Sequence, residues 1–317
     1  MLNIINKQHN FLEPYRKYST YIKEIFGFPV YKVAVDGGFS CPNRDGTKGT
    51  GGCAFCDETG ASSRTRQCGD TIGDQLRRNI IARQSRGQGH KFIAYLQSYT
   101  NTYATCDILK DRYDQALSAH EDIIGLSVST RPDTIDEEKL QLLASYKKQI
   151  PYVSIEYGMQ TIHDKTLARI NRGETHEDFL KALELTKQYD IDHCIHVIIG
   201  LPGESREDIL ATAKKLAALQ VNGVKIHCLV AMEKTPLETM YNTGKWTPLS
   251  YDEHITIIAD FIEHLHKECI IHRISGNGHP RHIVAPQWMK DKKGPIVSQA
   301  IIREFERRGT YQGIHCR

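Results

Sequence analysis

The sequence has 317 residues, 40% apolar and 25% charged, enough for one large core or for a domain with a modest appendage. A net charge of +3 neither demands nor excludes a nucleic-acid partner, since a local basic patch fits on a nearly balanced chain. The polar start MLNIINKQHNFLEPYRKYST lacks a signal-peptide core, and no apolar run approaches the roughly 20 residues that cross a bilayer, so a cytoplasmic protein with no membrane partner is expected. Nine cysteines, an odd number in a chain too long to need staples, argue against a disulfide scaffold.

Residues 1–30 read as an N-terminal extension. Short apolar runs then alternate with amphipathic ones. The predicted strands are YKVAVD (31–36), FIAYLQ (92–97), IIGLSVS (123–129), YVSIEYG (152–158), HCIHVIIG (193–200) and VKIHCLVA (224–231). They are β-branched or aromatic and close to continuously apolar, as strands covered on both faces should be. Between them, Ile72, Leu76, Ile80 and Ile81, and later Ile135, Leu140, Leu143 and Tyr146, recur at helical spacing. Thr175 and Ser205 read as caps of two further helices, with Asp208 completing a capping box, and another helix spans about 251–268. Strand starts about 30 residues apart give six βα units. That pattern predicts an α/β fold built on a partial (β/α)6 TIM-like barrel, with a doubly wound flat sheet as its rival. The core covers 31–250. Residues 251–317 form a C-terminal extension packed on it, with IIHRISGNG as a possible extra strand, HPRHIVAPQW as a loop and 295–308 as a helix.

Directly after the first strand comes GGFSCPNRDGTKGTGGCAFCDETG, with Cys41, Cys53 and Cys56 spaced Cys-x11-Cys-x2-Cys. Three thiolates are soft ligands, suited to iron–sulfur or zinc. A structural zinc site closes with four ligands, yet there is no second Cys-x2-Cys, and Cys68 and His90 lack knuckle spacing. A three-ligand set suits a cubane with one iron left open. Zinc and no metal at all remain the alternatives on spacing alone.

CPNRDGTKGTGGCAFC, with an aromatic residue before its last cysteine, resembles the cluster loop of radical S-adenosylmethionine (SAM) enzymes. Its long first interval resembles the YhcC-like branch of that superfamily, related to the Elp3 and oxygen-independent coproporphyrinogen oxidase groups, and the resemblance covers nearly the whole chain. It implies a [4Fe–4S] cluster held by Cys41, Cys53 and Cys56, whose open iron chelates the amino and carboxylate groups of SAM. Reductive cleavage would give a 5′-deoxyadenosyl radical that takes hydrogen from a substrate, with electrons from a reductant such as flavodoxin or ferredoxin.

Groups that hold SAM should lie at the C-terminal ends of the strands. Gln97, Ser98, Thr100 and Asn101 in YLQSYTNTYA resemble the segment facing the SAM amine, an ordinary polar loop being the alternative. In SVSTRPD, Ser129 and Arg131 face the mouth, Arg131 toward the SAM carboxylate or a substrate anion unless it makes a surface salt bridge. Glu156 stands inside an apolar run, where an unpaired carboxylate is costly. It resembles the family's SAM-bonding carboxylate and Gln160 the ribose contact, against a structural bond within the barrel. Arg169, Asn171 and Arg172 either line the mouth or pin a loop. Gly200 and Gly203 in HVIIGLPGES resemble the adenine-contacting strand end and are wrongly spaced for a phosphate loop. His196 and His227 read as buried, hydrogen-bonded core histidines, the alternative being that they face the barrel interior and meet substrate, and Cys194 and Cys228 as small buried fillers. Arg273, Asn277, Arg281 and Trp288 are candidates for substrate recognition or for structure.

Relatives of this branch act on tRNA wobble uridines. Arg16, Lys17, Tyr18, Tyr21 and Lys23, then Lys290, Lys292, Lys293, Arg303, Arg307 and Arg308, supply charges and rings for such a partner. A solvated charged face, a small-metabolite substrate and a metal-stabilised nucleic-acid binder are the competing readings.

Overall fold

A computed structural model of the chain describes residues 13–58, 60, 69–275 and 282–316. Helix α1 (Tyr18–Phe26) precedes β1 (Val30–Val35), and the cysteine loop leads to α2 (Ile72–Gln84). Alternation continues through β2 (Lys91–Leu96), α3 (Cys106–Leu117), β3 (Ile123–Thr130), α4 (Glu137–Ser145) and β4 (Tyr152–Gln160). Then come α5 (Asp164–Arg169), α6 (His176–Lys187), β5 (Asp192–Ile199), α7 (Arg206–Ala218) and β6 (Gly223–Cys228). The remainder holds β7 (Ala231–Met232), α8 (Pro236–Asn242), α9 (Tyr251–His264), β8 (Ile270–Arg273), β9 (Ile283–Ala285), α10 (Trp288–Asp291) and α11 (Gly294–Arg308). Thr71, Thr175, Ser205 and Ser250 cap their helices through reciprocal bonds with the acidic residue three positions on, satisfying backbone donors that the first turn leaves open.

Seven strands form one parallel sheet in the order β1-β2-β3-β4-β5-β6-β8. Tyr95 on β2 and Lys225 on β6 are four strands apart, roughly 19 Å across a flat sheet. Lys225 Nζ nevertheless donates to Tyr95 Oη at 2.8 Å. The sheet therefore curls into a partial barrel, which removes the flat doubly wound alternative. Its outer face carries Val33, Leu96, Val128, Ile155 and Val197 against Leu76, Leu109, Phe179, Leu216 and Phe261 of the surrounding helices. Alternate residues turn inward, and these include Lys32, Tyr95, Ser127, Glu156, His196 and Lys225, so the lumen is polar.

Strand β8, from the segment IIHRISGNG, is the seventh member and pairs with β6. HPRHIVAPQW, expected as a loop, contains β9, which pairs antiparallel with β7, and feeds α10. Strands of two and three residues are too short to print a periodicity in the sequence.

Edges β1 and β8 are not paired with each other among the described residues. The seam is filled from the N-terminal side: the Arg16 carbonyl accepts from Ile271 N–H at 2.8 Å, and α1 sets Ile22 against Val30, Ile93 and Tyr152. Gln312 clasps this segment. It accepts from Arg16 N–H at 2.9 Å, donates its own N–H to the Pro14 carbonyl at 2.9 Å, and its side-chain amide donates to the Cys269 carbonyl at 2.7 Å.

Helix α11 lies on α9, where Arg308 reaches Asp260 at 2.8 Å, Glu263 at 3.1 Å and Glu304 at 2.7 Å. Hydrogen bonds from Arg307 and Arg308 hold the Glu304 carboxyl down at about 2, so its contribution is present above the unfolded carboxylate range and is lost as pH falls toward 2. Arg308→Ala is expected to cost about 1–3 kcal/mol at pH 7, discounted for partial exposure. Thermal melts from pH 7 downward should show the gap to the parent narrowing with acid. A gap independent of pH would show that packing, not charge, holds α11.

Candidate cluster and substrate site

The loop after β1 is folded on itself by backbone bonds: Arg44 and Asp45 N–H donate to the Cys41 carbonyl, Gly52 N–H to the Asn43 carbonyl, and Cys56 N–H to the Cys53 carbonyl. Cys41, Cys53 and Cys56 are all free thiols. They share their surroundings. Arg44 feels the charges of both Cys56 and Cys41, and the Cys53 thiol helps burial to push the Cys56 thiol up to about 11. Asn43 Nδ2 stands 3.7 Å and Arg172 Nη1 3.5 Å from Cys53 Sγ, so a thiolate there would meet two N–H donors. Gly49 lets Asn43 fit: a Cβ on Gly49 would lie 2.5 Å from Asn43 Oδ1.

The segment 169–174 pins this loop, the second of the two roles expected for it. Asn171 Nδ2 donates to the Gly52 carbonyl at 2.8 Å, and the Asn171 carbonyl accepts from Asn43. Arg169 Nη1 donates to the Pro202 carbonyl at 2.8 Å. Arg172 donates to Glu174 at 2.7 Å and to the Gly158 carbonyl at 2.6 Å while facing Cys53. Arg131 is buried, not on the surface: it donates twice to Asp133 at 2.8 Å, once to the Arg172 carbonyl, and lies 3.2 Å from Glu174. Its guanidinium belongs to the same clamp.

Other expected residues fall at the strand ends. Ser98 and Asn101 are buried, and Ser98 Oγ and Asn101 Oδ1 have no partner among the described residues, while Asn101 Nδ2 donates to the Leu96 and Ser129 carbonyls. Ser129 pairs in register with Glu156, and Gln97 follows β2. Gln160 closes β4 with a φ of 70°, and Gly200, at φ 89°, has its carbonyl bonded by Trp246 Nε1 at 2.9 Å. Asn277, Arg281 and Cys68 lie outside the described residues. Trp288 donates to the Leu249 carbonyl at 3.0 Å and meets the Tyr251 ring edge-on, a packing role.

Inside the barrel, Glu156 has a side chain only 1% exposed. One oxygen takes Lys32 and Ser127; the other takes Tyr95 at 2.8 Å, His196 at 2.6 Å and Lys225 at 2.9 Å. Five donors fill its acceptor positions, the barrel-internal bonding given above as the alternative to a SAM contact. Against the burial that would raise it, Lys225 and Lys32 hold this carboxyl well below the usual range. Burial pushes Lys225 down to about 8 despite Glu156, with Arg273 and Lys32 adding to the effect, and pushes His196 down to about 4. His196 and His227 are part-buried and hydrogen-bonded to Glu156 and Arg273, and both face the barrel interior with ring centres 5.1 Å apart. Cys194 and Cys228 are buried, and burial raises both thiols, Cys228 to about 12. Lys32, Lys225, Asn43 and Arg44 were not singled out from the sequence.

A polar lumen thus lies beneath a loop that carries three free thiols. Residues 45–216 match the model of the radical SAM superfamily and residues 221–303 that of the radical SAM C-terminal domain; the chain belongs to the radical SAM superfamily. It is 36% identical over 291 residues to the protein YhcC of Escherichia coli strain K12, covering 91% of this chain and 92% of that one. The tRNA uridine(34) acetyltransferase of Methanocaldococcus jannaschii is 28% identical over 145 residues, 45% of this chain and 26% of the relative. Among solved structures, Elp3 of Methanocaldococcus infernus shares the fold with a TM-score of 0.69 at 20% identity, over 89% of this chain and 64% of that one. The chain is thus a radical SAM enzyme whose cofactors are a [4Fe–4S] cluster and SAM, which removes the non-enzymatic metal-stabilised binder. Among the described residues no helix is long and apolar enough to cross a membrane.

Removing the cation beside Cys53 should loosen metal retention. Arg172→Leu is expected to lower iron affinity about 10- to 100-fold, the usual range for groups that orient a ligand, with Arg172→Lys intermediate. Iron content after a chelator challenge measures it, and parental retention in Arg172→Leu would show that Arg172 serves only Glu174.

Proposed function

We propose that Cys41, Cys53 and Cys56 hold the cluster and that the enzyme uses it to modify the 5-side chain of a wobble uridine in tRNA. The observation that carries the ligand assignment is the gathering of three free, neighbouring thiols around Arg44, Asn43 and Arg172. The donor set fits a cubane with one open iron better than a closed zinc site. When bound, the group supplies an electron for reductive cleavage of SAM and so a radical able to abstract hydrogen. Around it the chain orients and excludes: the Arg131–Asp133–Arg172–Glu174 clamp fixes the loop, and the orphaned Ser98 Oγ and Asn101 Oδ1 offer a hydrogen-bonding edge for SAM. A flavodoxin- or ferredoxin-like reductant is implied.

Support for tRNA is the partial similarity to the tRNA uridine(34) acetyltransferases. A second reading, a small metabolite, is favoured by how the basic ends are spent. Arg16 pairs with Glu268, Lys17 with Glu13, Arg307 with Glu304, and Lys292 lies over the Tyr251 ring, leaving Lys23, Lys290, Lys293 and Arg303 as an exposed basic set. Nucleosides digested from tRNA of cells with and without the protein decide between the two. One altered uridine supports the tRNA reading; identical profiles, with 5′-deoxyadenosine still produced by the purified enzyme, move the assignment to a metabolite.

A further inference from the structure

The lumen has more positive charge than its own acids can match. Lys32 and Lys225 share the single carboxylate Glu156, and Arg273, the last residue of β8, adds a third cation, aligned with Lys225 in the strand register. Asp192 lies toward the floor and is engaged by Tyr21 at 3.0 Å. The histidines on the wall are held neutral by burial.

Two donors on this wall are buried and unanswered. Arg273 Nη2 is 2.7 Å from His227 Nδ1. A guanidinium only donates, so Nδ1 must be the acceptor, and the proton of the neutral ring sits on Nε2. Among the described residues His227 Nε2 has no partner, and neither has Arg273 Nε. Leaving two N–H groups dry and unpaired is costly, and a buried surplus of cations adds to the cost. Both are relieved by an acceptor carrying negative charge. His227 is aligned with Ile198 one layer nearer the strand ends than Lys225, which is aligned with His196, so His227 lies on the mouth side of the Glu156 network, and Arg273, level with Lys225, reaches it with its guanidinium.

We propose that Arg273 and His227, backed by Lys225, form an anion-binding subsite for the substrate, taking a carboxylate or phosphate oxygen. This deepens, and rests on, the reading of the chain as a radical SAM enzyme that modifies a substrate, and adds that the substrate enters the lumen. A cation site is the competing idea, because Glu156, Cys194 and His196 bring ligand atoms within 4.8 Å of one another. Two ammonium groups already bonded to that carboxylate make the spot hostile to a metal ion.

The test uses reconstituted holoenzyme titrated with inorganic phosphate and with acetate, chloride serving as the ionic-strength control, and followed by calorimetry and by melting temperature. A saturable response to either oxyanion but not to chloride is expected. Phosphate preference points to a phosphorylated or backbone group, acetate preference to a carboxylate. Arg273→Met should weaken binding about tenfold or more, as loss of a charge-assisted fork does, with Arg273→Lys in between. If Arg273→Met does not fold, His227→Leu reads the same subsite and should weaken binding likewise. No saturable response in the parent, or an undiminished one in the folded variants, overturns the proposal. So does complete suppression by SAM, which would make the site the cofactor's own. Production of 5′-deoxyadenosine by the same parent preparation, without added anion, tests the radical SAM reading separately.

Discussion

Cys41→Ala, Cys53→Ala and Cys56→Ala are each expected to eliminate 5′-deoxyadenosine release from SAM and to strip most of the iron from the anaerobically reconstituted protein. Of the other cysteines described, Cys194, Cys228 and Cys269 are buried with thiols pushed up by burial. Cys194 lies on β5, Cys228 closes β6 and Cys269 precedes β8, so none of them belongs to the loop that gathers Cys41, Cys53 and Cys56. Cys228→Ala should therefore keep its iron and its SAM cleavage while losing only packing energy. The discriminating case is Cys41, which precedes the span matched by the superfamily model, at residues 45–216. Parental iron and SAM cleavage in Cys41→Ala would remove it from the ligand set and return the choice of third ligand to experiment.

Replacement of Glu156 should produce the largest stability loss of any single polar change in the barrel. Five donors converge on it, two of them ammonium groups with side chains 16% and 10% exposed. Glu156→Gln leaves both cations buried without an anion, a change that typically costs about 3–5 kcal/mol. Urea denaturation at pH 7 measures it. Because the folded-state carboxyl titrates well below its unfolded value, the advantage of the parent is complete above the unfolded range near 4.3 and disappears as pH drops through it and below. Adding Lys32→Met and Lys225→Met to Glu156→Gln should restore much of the stability, since apolar replacement of a whole buried ion cluster is often tolerated. A Glu156→Gln protein as stable as its parent would mean that water, not the carboxylate, compensates the lysines.

The strand–helix order was legible because each strand keeps one continuous apolar face: Val33 and Val35, or Ile155 and Tyr157, had to be buried somewhere. Capping at Thr175 and Ser205 was legible because it is local chemistry, complete within four residues. The curl of the sheet was favoured by the count of βα units, yet its proof is a contact between residues 130 positions apart, which no local pattern contains. Glu156 drew attention as a charge inside an apolar run. The same signal was present at Lys32 in YKVAVD and Lys225 in VKIHCLVA, and reading all three together would have predicted an internal ion cluster rather than a lone ligand. Arg131 and Arg172 were visible as residues, but their common partner Glu174 became clear only when two loops met in space. The short β7–β9 pair left no trace because it is held by its neighbours and not by its own pattern.

The stitch between Arg16 and Gln312 spans 296 positions. A ribosome releases the first of these residues long before the second, so the nascent chain must carry an unsealed barrel through almost the whole of its synthesis, with α1 lacking its final anchor. Seam closure therefore belongs among the last acts of folding, after the parallel ladder has assembled. A Gln312→Ala chain, slow to seal, should remain open to proteases longer than its parent during refolding.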